Sequence, residues 1–315
     1  VELIIIVRLA GRPPGSAGQL HGLAIGKGRI LAVGSQRQIR SLRGRNSRLL
    51  ELPHAFVTAG LVDCHTHFFY WALGRHLVLD VSALPSLNAV LSAIYARARR
   101  NPGCDWILAR GFEHNRWERG LPSAADLDRV VPNRPVLVRS RDGHTAWLNT
   151  AAMKRAGISR HTADPAGGRY LRDARGRPTG IVQEAAVDLL PDPLRELALR
   201  TDPDAKQLVD RALDDAYRQA WQHGIVGVHC MDDGPSLIHL QRHHAERRLG
   251  LRVVHAIQLA DLDRAVDLGL RSGFGDDWFR LGAVKIFADG ALGSQTAYMF
   301  EPYPGRRRYR GVPVV

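Results

Sequence analysis

Phe56-Val57-Thr58-Ala59-Gly60-Leu61-Val62-Asp63-Cys64-His65-Thr66-His67 is the stretch on which the reading of this chain turns. Side chains along a strand alternate between faces, so residues two apart point the same way. His65 and His67, at the end of an apolar run, therefore project together. Neutral imidazole is the commonest ligand for zinc-like ions, and two on one face make half a site. A His-x-His triplet alone is also an ordinary surface-strand feature. Here an apolar run, Gly60 and Asp63 accompany it, and a metal-binding strand end is the expectation.

A second stretch, Leu281-Gly282-Ala283-Val284-Lys285-Ile286-Phe287-Ala288-Asp289-Gly290-Ala291-Leu292-Gly293-Ser294-Gln295-Thr296-Ala297, carries a lysine within an apolar strand. A buried ammonium is costly, so Lys285 needs a partner or a lowered pKa. Its amine can also take up carbon dioxide, giving a carbamate whose two oxygens bridge two metals. Arginine, permanently protonated, cannot. The chain holds 40 Arg and only four Lys (Lys27, Lys154, Lys206 and Lys285), so a lysine here is notable. A strand-edge lysine reaching solvent is the alternative. For Asp289, a turn-forming role before Gly290 stands beside a role at the site.

The first stretch resembles the amidohydrolase superfamily, whose first barrel strand ends in Pro-Gly-Leu-x-Asp-x-His-x-His; Ala59 stands where Pro is usual. The second resembles the loop of amidohydrolase family 3, the YtcJ-like and N-substituted formamide deformylase-like branch. There Asp-Gly-Ser/Ala-Leu-Gly-Ser-Arg-Thr-Ala is typical, and Gln295 replaces the Arg. Gly111-Phe112-Glu113-His114-Asn115-Arg116-Trp117 and Asp142-Gly143-His144-Thr145-Ala146-Trp147-Leu148-Asn149 follow the same branch. So does Gly176-Arg177-Pro178-Thr179-Gly180-Ile181-Val182-Gln183-Glu184, and the likeness covers most of the chain.

The resemblance implies a TIM-like β/α barrel enzyme hydrolysing a non-peptide carbon–nitrogen bond, amide or formamide, with a metal-activated water. It implies His65, His67 and a carbamylated Lys285 as ligands of one or two divalent ions, zinc being expected. His144, Trp147, Asn149 and Asp289 would lie near a small amide-type substrate. A His, an indole and an amide at that spacing are equally compatible with a structural turn leading into a helix. The family's later histidines and its catalytic aspartate have no counterpart up to Val315. The expectation is therefore a fragment of a longer protein, with the catalytic residue beyond Val315. A catalytically inactive, amidohydrolase-like binding protein is the alternative.

At 315 residues, with 45% hydrophobic and 24% charged residues, the chain has the composition of a globular protein with a sizeable core. The net charge of +13 raises a nucleic-acid partner, but the arginines are interleaved with acids and no recognition motif accompanies them. Neither nucleic acid nor membrane is an expected partner; a homodimer is left open. Three cysteines make no disulfide framework and suit a reducing cytoplasm.

Residues 1–58 read as short strands with close turns, part of a small β-sandwich domain. Residues 59–315 read as the N-terminal portion of the barrel, with an insertion around 112–200. The predicted fold is thus α/β: an incomplete β/α barrel, a small N-terminal β-unit and an insertion. Helices are expected at Ser86–Arg100 and Asp204–His223. Strand–helix alternation, arguing for parallel α/β architecture, takes in strands at Trp106–Arg110, Arg134–Arg139, Ile225–Met231, Leu251–Gln258 and Leu281–Phe287. His229 is expected to pack or line the pocket, a third metal ligand being the alternative, and His243-His244, on a charged helical stretch, to face solvent.

Overall fold

The computed structural model describes residues 1–9, 20–117, 120–289, 297–303, 308–311 and 313. It divides into two compact units, Val1–Leu61 and Val62–Val315.

The first unit holds β1 (Leu3–Leu9), β2 (His21–Gly26), β3 (Arg29–Ser35), α1 (Gln36–Arg40) and β4 (Arg48–Val57), in one sheet of order β3-β2-β1-β4. β1 is antiparallel to β2 and parallel to β4. Ile4, Ile6 and Ala24 bury one face against Ile39 of α1. That approach is close: a Cβ at Gly22 would stand 2.4 Å from the Cβ of Ile39.

The second unit opens with β5 (Leu61–Thr66), α2 (Phe68–Leu77), β6 (Val78–Asp80), α3 (Leu87–Arg100) and β7 (Ile107–Phe112). α4 (Ala124–Asp128), β8 (Val136–Ser140), β9 (Thr145–Leu148), α5 (Thr150–Arg155), β10 (Gly168–Arg172) and β11 (Pro178–Glu184) follow. Then come α6 (Pro193–Leu199), α7 (Pro203–Gln222), β12 (Ile225–Cys230), α8 (Gly234–Ala245), β13 (Arg252–Gln258), α9 (Leu262–Asp267) and β14 (Phe279–Lys285).

Two sheets result. One, ordered β14-β13-β12-β5, is the barrel portion. β12, β13 and β14 are parallel, joined by crossover helices as parallel strands require. β5 runs with them: a Cβ at Gly227 would lie 3.4 Å from Val62, and Thr66 O accepts from Met231 N at 2.8 Å. The architecture is α/β, a partial TIM-like barrel.

The other sheet, ordered β10-β11-β9-β8-β7-β6, is the insertion, and it takes in a strand before residue 112 that is expected in the barrel. Trp106–Arg110 and Arg134–Arg139 fall in β7 and β8, which pair in parallel with each other and with β6. The inserted sheet therefore begins at Val78, well before residue 112. The reason is that strand–helix–strand patterning is alike in both sheets, and only pairing separates them. Within it, β10 and β11 form an antiparallel hairpin.

The helices behave as their sequences dictate. In α7, Asp202 caps the first turn, accepting from Ala205 N at 3.1 Å, and Pro203 occupies the first position. Val209, Ala212, Leu213, Ala216 and Tyr217 then bury one stripe against α2 and β12. Gly224, at φ 74°, supplies the left-handed residue that ends it. No helix among the described residues is long and apolar enough to cross a membrane.

His243 departs from expectation. It is fully buried, with Nε2 3.0 Å from Asp210 and Nδ1 3.3 Å from the Tyr217 hydroxyl. It lies on the α8 stripe of Ser236, His239 and Leu240, whose spacing outweighs its charged neighbours.

Candidate metal centre

The C-terminal ends of β5, β12, β13 and β14 meet in order along one rim, the rim on which β/α barrels carry their chemistry. Thr66 of β5 is bonded to Met231 after β12, and Gln258 at the end of β13 donates to Met231 O and Asp232 O at 2.9 Å each. Gln258 is in turn the register partner of Lys285, the last residue of β14. His65 lies on β5 and His67 immediately after it.

Three strand steps of roughly 4.8 Å separate β5 from β14, about 14 Å on a flat sheet. Yet Lys285 Nζ and His65 Nε2 are 3.4 Å apart. Such an approach requires both side chains to converge on one face of a curled sheet. The His65 and His67 ring centroids are 6.2 Å apart. Lys285 Nζ also sits 4.7 Å from the Phe287 ring centroid.

His67 is held from behind. Its Nδ1 lies 2.9 Å from Oδ1 of Asp232, whose side chain is fully buried, while the imidazole itself is open. The same carboxylate accepts from Phe69 N at 2.8 Å and from Cys230 Sγ at 3.3 Å. Burial and the adjacent Asp232 push the Cys230 thiol up to about 12, so it remains a donor. The arrangement fixes the His67 tautomer, with Nδ1 protonated and Nε2 left as the ligating nitrogen. No motif marks Asp232; its only sequence signal is an acid just past the end of an apolar strand. Next to it, Asp233 accepts from the Tyr70 hydroxyl and from Arg195 Nε, both at 2.8 Å. Burial and that bond hold the Tyr70 phenol far above its ordinary range.

Among the described residues no group of three or more His, Cys, Asp or Glu is arranged to hold a metal. The nitrogen donors on this rim are instead two imidazoles and an amine, of which His65 and Lys285 approach each other. That set fits a borderline divalent ion of the zinc class, which takes nitrogen and, from a carbamate, oxygen.

The other predicted site residues are placed differently. Trp147 is fully buried among Phe112 and Trp117, and its indole N–H donates to Ser123 O at 2.8 Å. Asn149 is also fully buried: Oδ1 accepts from Val136 N (2.9 Å) and Ala152 N (2.8 Å), and Nδ2 donates to Val131 O and Arg134 O (2.8 Å each). With every polar atom engaged, these two hold the inserted sheet and cap α5, and the substrate role expected for them is withdrawn. His144 is exposed, its Nδ1 3.0 Å from Oε2 of Glu184, and Glu184 sits at the unfavourable φ of 55°. Asp289 accepts from Tyr298 N at 2.8 Å. Residues 290–296, including Gln295, lie outside the described residues. His229 stands half-buried in β12, in register with Val254.

The family model described as "Amidohydrolase family" matches residues 51–315, most of the chain. The chain belongs to the amidohydrolase family. It is 34% identical over 296 residues to YtcJ of Bacillus subtilis (strain 168), a protein with an amidohydrolase name, covering 91% of this chain and 54% of that protein. It is 34% identical over 174 residues to the N-substituted formamide deformylase of Arthrobacter pascens, covering 54% of this chain and 32% of that enzyme. This amidohydrolase chain thus spans about half the length of YtcJ. A crystal structure of a metal-dependent hydrolase from Pyrococcus furiosus superposes with a TM-score of 0.75 at 21% identity, over 99% of this chain and 62% of that one. That likeness is one of fold.

Proposed function

We propose that this amidohydrolase chain supplies the metal-holding strand ends of an enzyme that hydrolyses a non-peptide carbon–nitrogen bond, of the amide or formamide type. The observation that carries this reading is the 3.4 Å approach of Lys285 Nζ to His65 Nε2, beside a His67 oriented by Asp232. The name of the Arthrobacter pascens relative supports the substrate class.

His65 and His67 would hold the first ion through neutral imidazoles. Lys285, reacting as a neutral amine with carbon dioxide and losing one proton, would present a carbamate to one or two ions. When bound, a zinc-class ion lowers the pKa of water toward neutrality and polarises a carbonyl oxygen. Asp232 keeps His67 in the productive tautomer, with Nε2 directed to the ion. The half-exposed rim leaves the ring edges accessible to a small substrate, and the exposed His144–Glu184 pair is the part of the insertion we assign to meeting it. The free Cys64, Cys104 and Cys230 suit a reducing compartment, which we take to be the cytoplasm.

The test is metal analysis after loading with zinc, together with hydrolysis of an N-substituted formamide by the protein. Wild type should retain zinc, and the double variant His65→Ala/His67→Ala should lose both metal and turnover. Stoichiometric zinc retained by the double variant overturns the assignment.

A further inference from the structure

A second site lies at the far end of α2. His67 precedes that helix and Leu77 closes it, so about 15 Å of helix separates the two places. There, among α3, α6, α7 and the start of β7, is a cavity of about 280 Å³. Leu77, Trp106, Leu194 and Leu208 give it apolar walls, and Cys104 and Arg97 are among its other lining residues.

The charges on its rim are unequal. Arg155 faces Oε2 of Glu196 at 3.0 Å, and Arg200 is held by Asp202 at 2.7 Å and Asp105 at 2.6 Å. Arg97 is different. Its guanidinium donates to His76 O at 2.5 Å, and among the described residues no carboxylate pairs with it. Half-buried, it is pulled below its ordinary range by desolvation. Burial in turn pushes the Cys104 thiol upward, so the thiol stays neutral and supplies no counter-charge. A half-buried cation without an anion is an energetic cost that a ligand carboxylate would offset. The planar guanidinium suits a carboxylate in particular, which it grips through two parallel bonds.

Volume sets the size of the occupant. A 150 Å³ apolar cavity holds benzene, so 280 Å³ accommodates roughly ten or eleven heavy atoms. We propose that this cavity binds a small amphipathic carboxylate, an aryl- or alkyl-carboxylate of about that size. Arg97 takes the carboxylate, and Leu77, Trp106, Leu194 and Leu208 cover the tail. The site is independent of the metal centre and of the reaction proposed for it.

Calorimetric titration of the metal-free protein with 3-phenylpropionate tests this, with neutral 3-phenylpropan-1-ol as the comparator. One saturable site for the acid is expected, with the alcohol at least tenfold weaker. Arg97→Gln should weaken the acid at least tenfold and leave the alcohol unchanged. Leu208→Trp, which fills the cavity from α7, should abolish binding of both, while circular dichroism reports whether each variant is folded. No saturable binding to folded wild type, equal affinity for acid and alcohol, or undiminished acid binding in folded Arg97→Gln would each overturn the proposal. The wild-type comparison of acid and alcohol decides the matter even where a variant fails to fold.

Discussion

Lys285 Nζ lies 3.4 Å from His65 Nε2, although 220 residues of chain separate them. Local sequence cannot produce that approach. It follows from β5, β12, β13 and β14 taking adjacent places in one curled sheet, with their C-terminal ends on a common rim. An amine left this close to an imidazole gains most if carbamylation or a shared metal replaces the bare N···N contact.

Lys285→Ala should therefore weaken zinc affinity while leaving the fold intact, because the side chain sits at the end of an edge strand. Lys285→Arg should not restore it, since guanidinium is neither a ligand nor a carbon dioxide acceptor. Wild type grown or incubated with ¹³C-bicarbonate should show a carbamate carbon resonance that both variants lack. A resonance that persists in Lys285→Ala places the carbamate elsewhere.

Asp232→Asn tests the support of His67. The amide is nearly isosteric but cannot accept from the His67 ring and Phe69 N as a carboxylate does. Loss of such a supporting partner costs roughly 10–100-fold in metal affinity. Competition titration against a zinc chelator measures it. Unchanged affinity would mean that Asp232 serves only to anchor the start of α2.

Asn149→Ala should be a stability variant and nothing more. It strips four buried hydrogen bonds at once and leaves Val136 N and Ala152 N without their side-chain acceptor. A loss on the order of 2–4 kcal/mol is expected from unsatisfied buried groups plus a lost helix cap. Denaturant unfolding reads the loss, and zinc binding by the folded fraction should stay as in wild type. A large change in metal affinity with no change in stability would restore Asn149 to the site.

Acid should destabilise the chain from just below neutrality. Burial holds His239, His243 and His255 below the ordinary imidazole range, so the native state keeps them neutral. Their contribution is complete above the unfolded value of about 6.5 and is lost as pH falls through it toward the folded values. A second loss follows below about 3.9: although burial opposes it, bonds from Arg242, Arg248 and His243 hold the Asp210 carboxyl well below its usual range. The melting temperature should fall between pH 7.5 and 5.5; a flat or rising profile contradicts this.

Much of the fold was legible in the sequence, and the reasons are local. Ser86 and the stripe Val90, Leu91, Ile94 and Ala98 marked α3, and Asp202-Pro203 with Gly224 bracketed α7. The two His and Lys285 were readable because strand ends and alternation are short-range properties. What was not readable depended on pairing and burial. β7 and β8 carry the same strand–helix pattern as the barrel strands, yet they pair with each other in a separate sheet. Trp147 and Asn149 belong to a motif that looked polar and pocket-like, but the antiparallel pairing of β9 with β8 and β11 turns them into the core. Asp232 became visible only once β12 was placed beside β5.

The most direct test is an anomalous-difference map, collected at the zinc edge from crystals of the zinc-loaded protein. The account predicts a peak within coordination distance of His65 and His67 imidazole nitrogens and of the Lys285 side chain, with extra density on Nζ where the carbamate has formed. A zinc peak elsewhere, or none among these three residues in crystals shown to contain the metal, would contradict it.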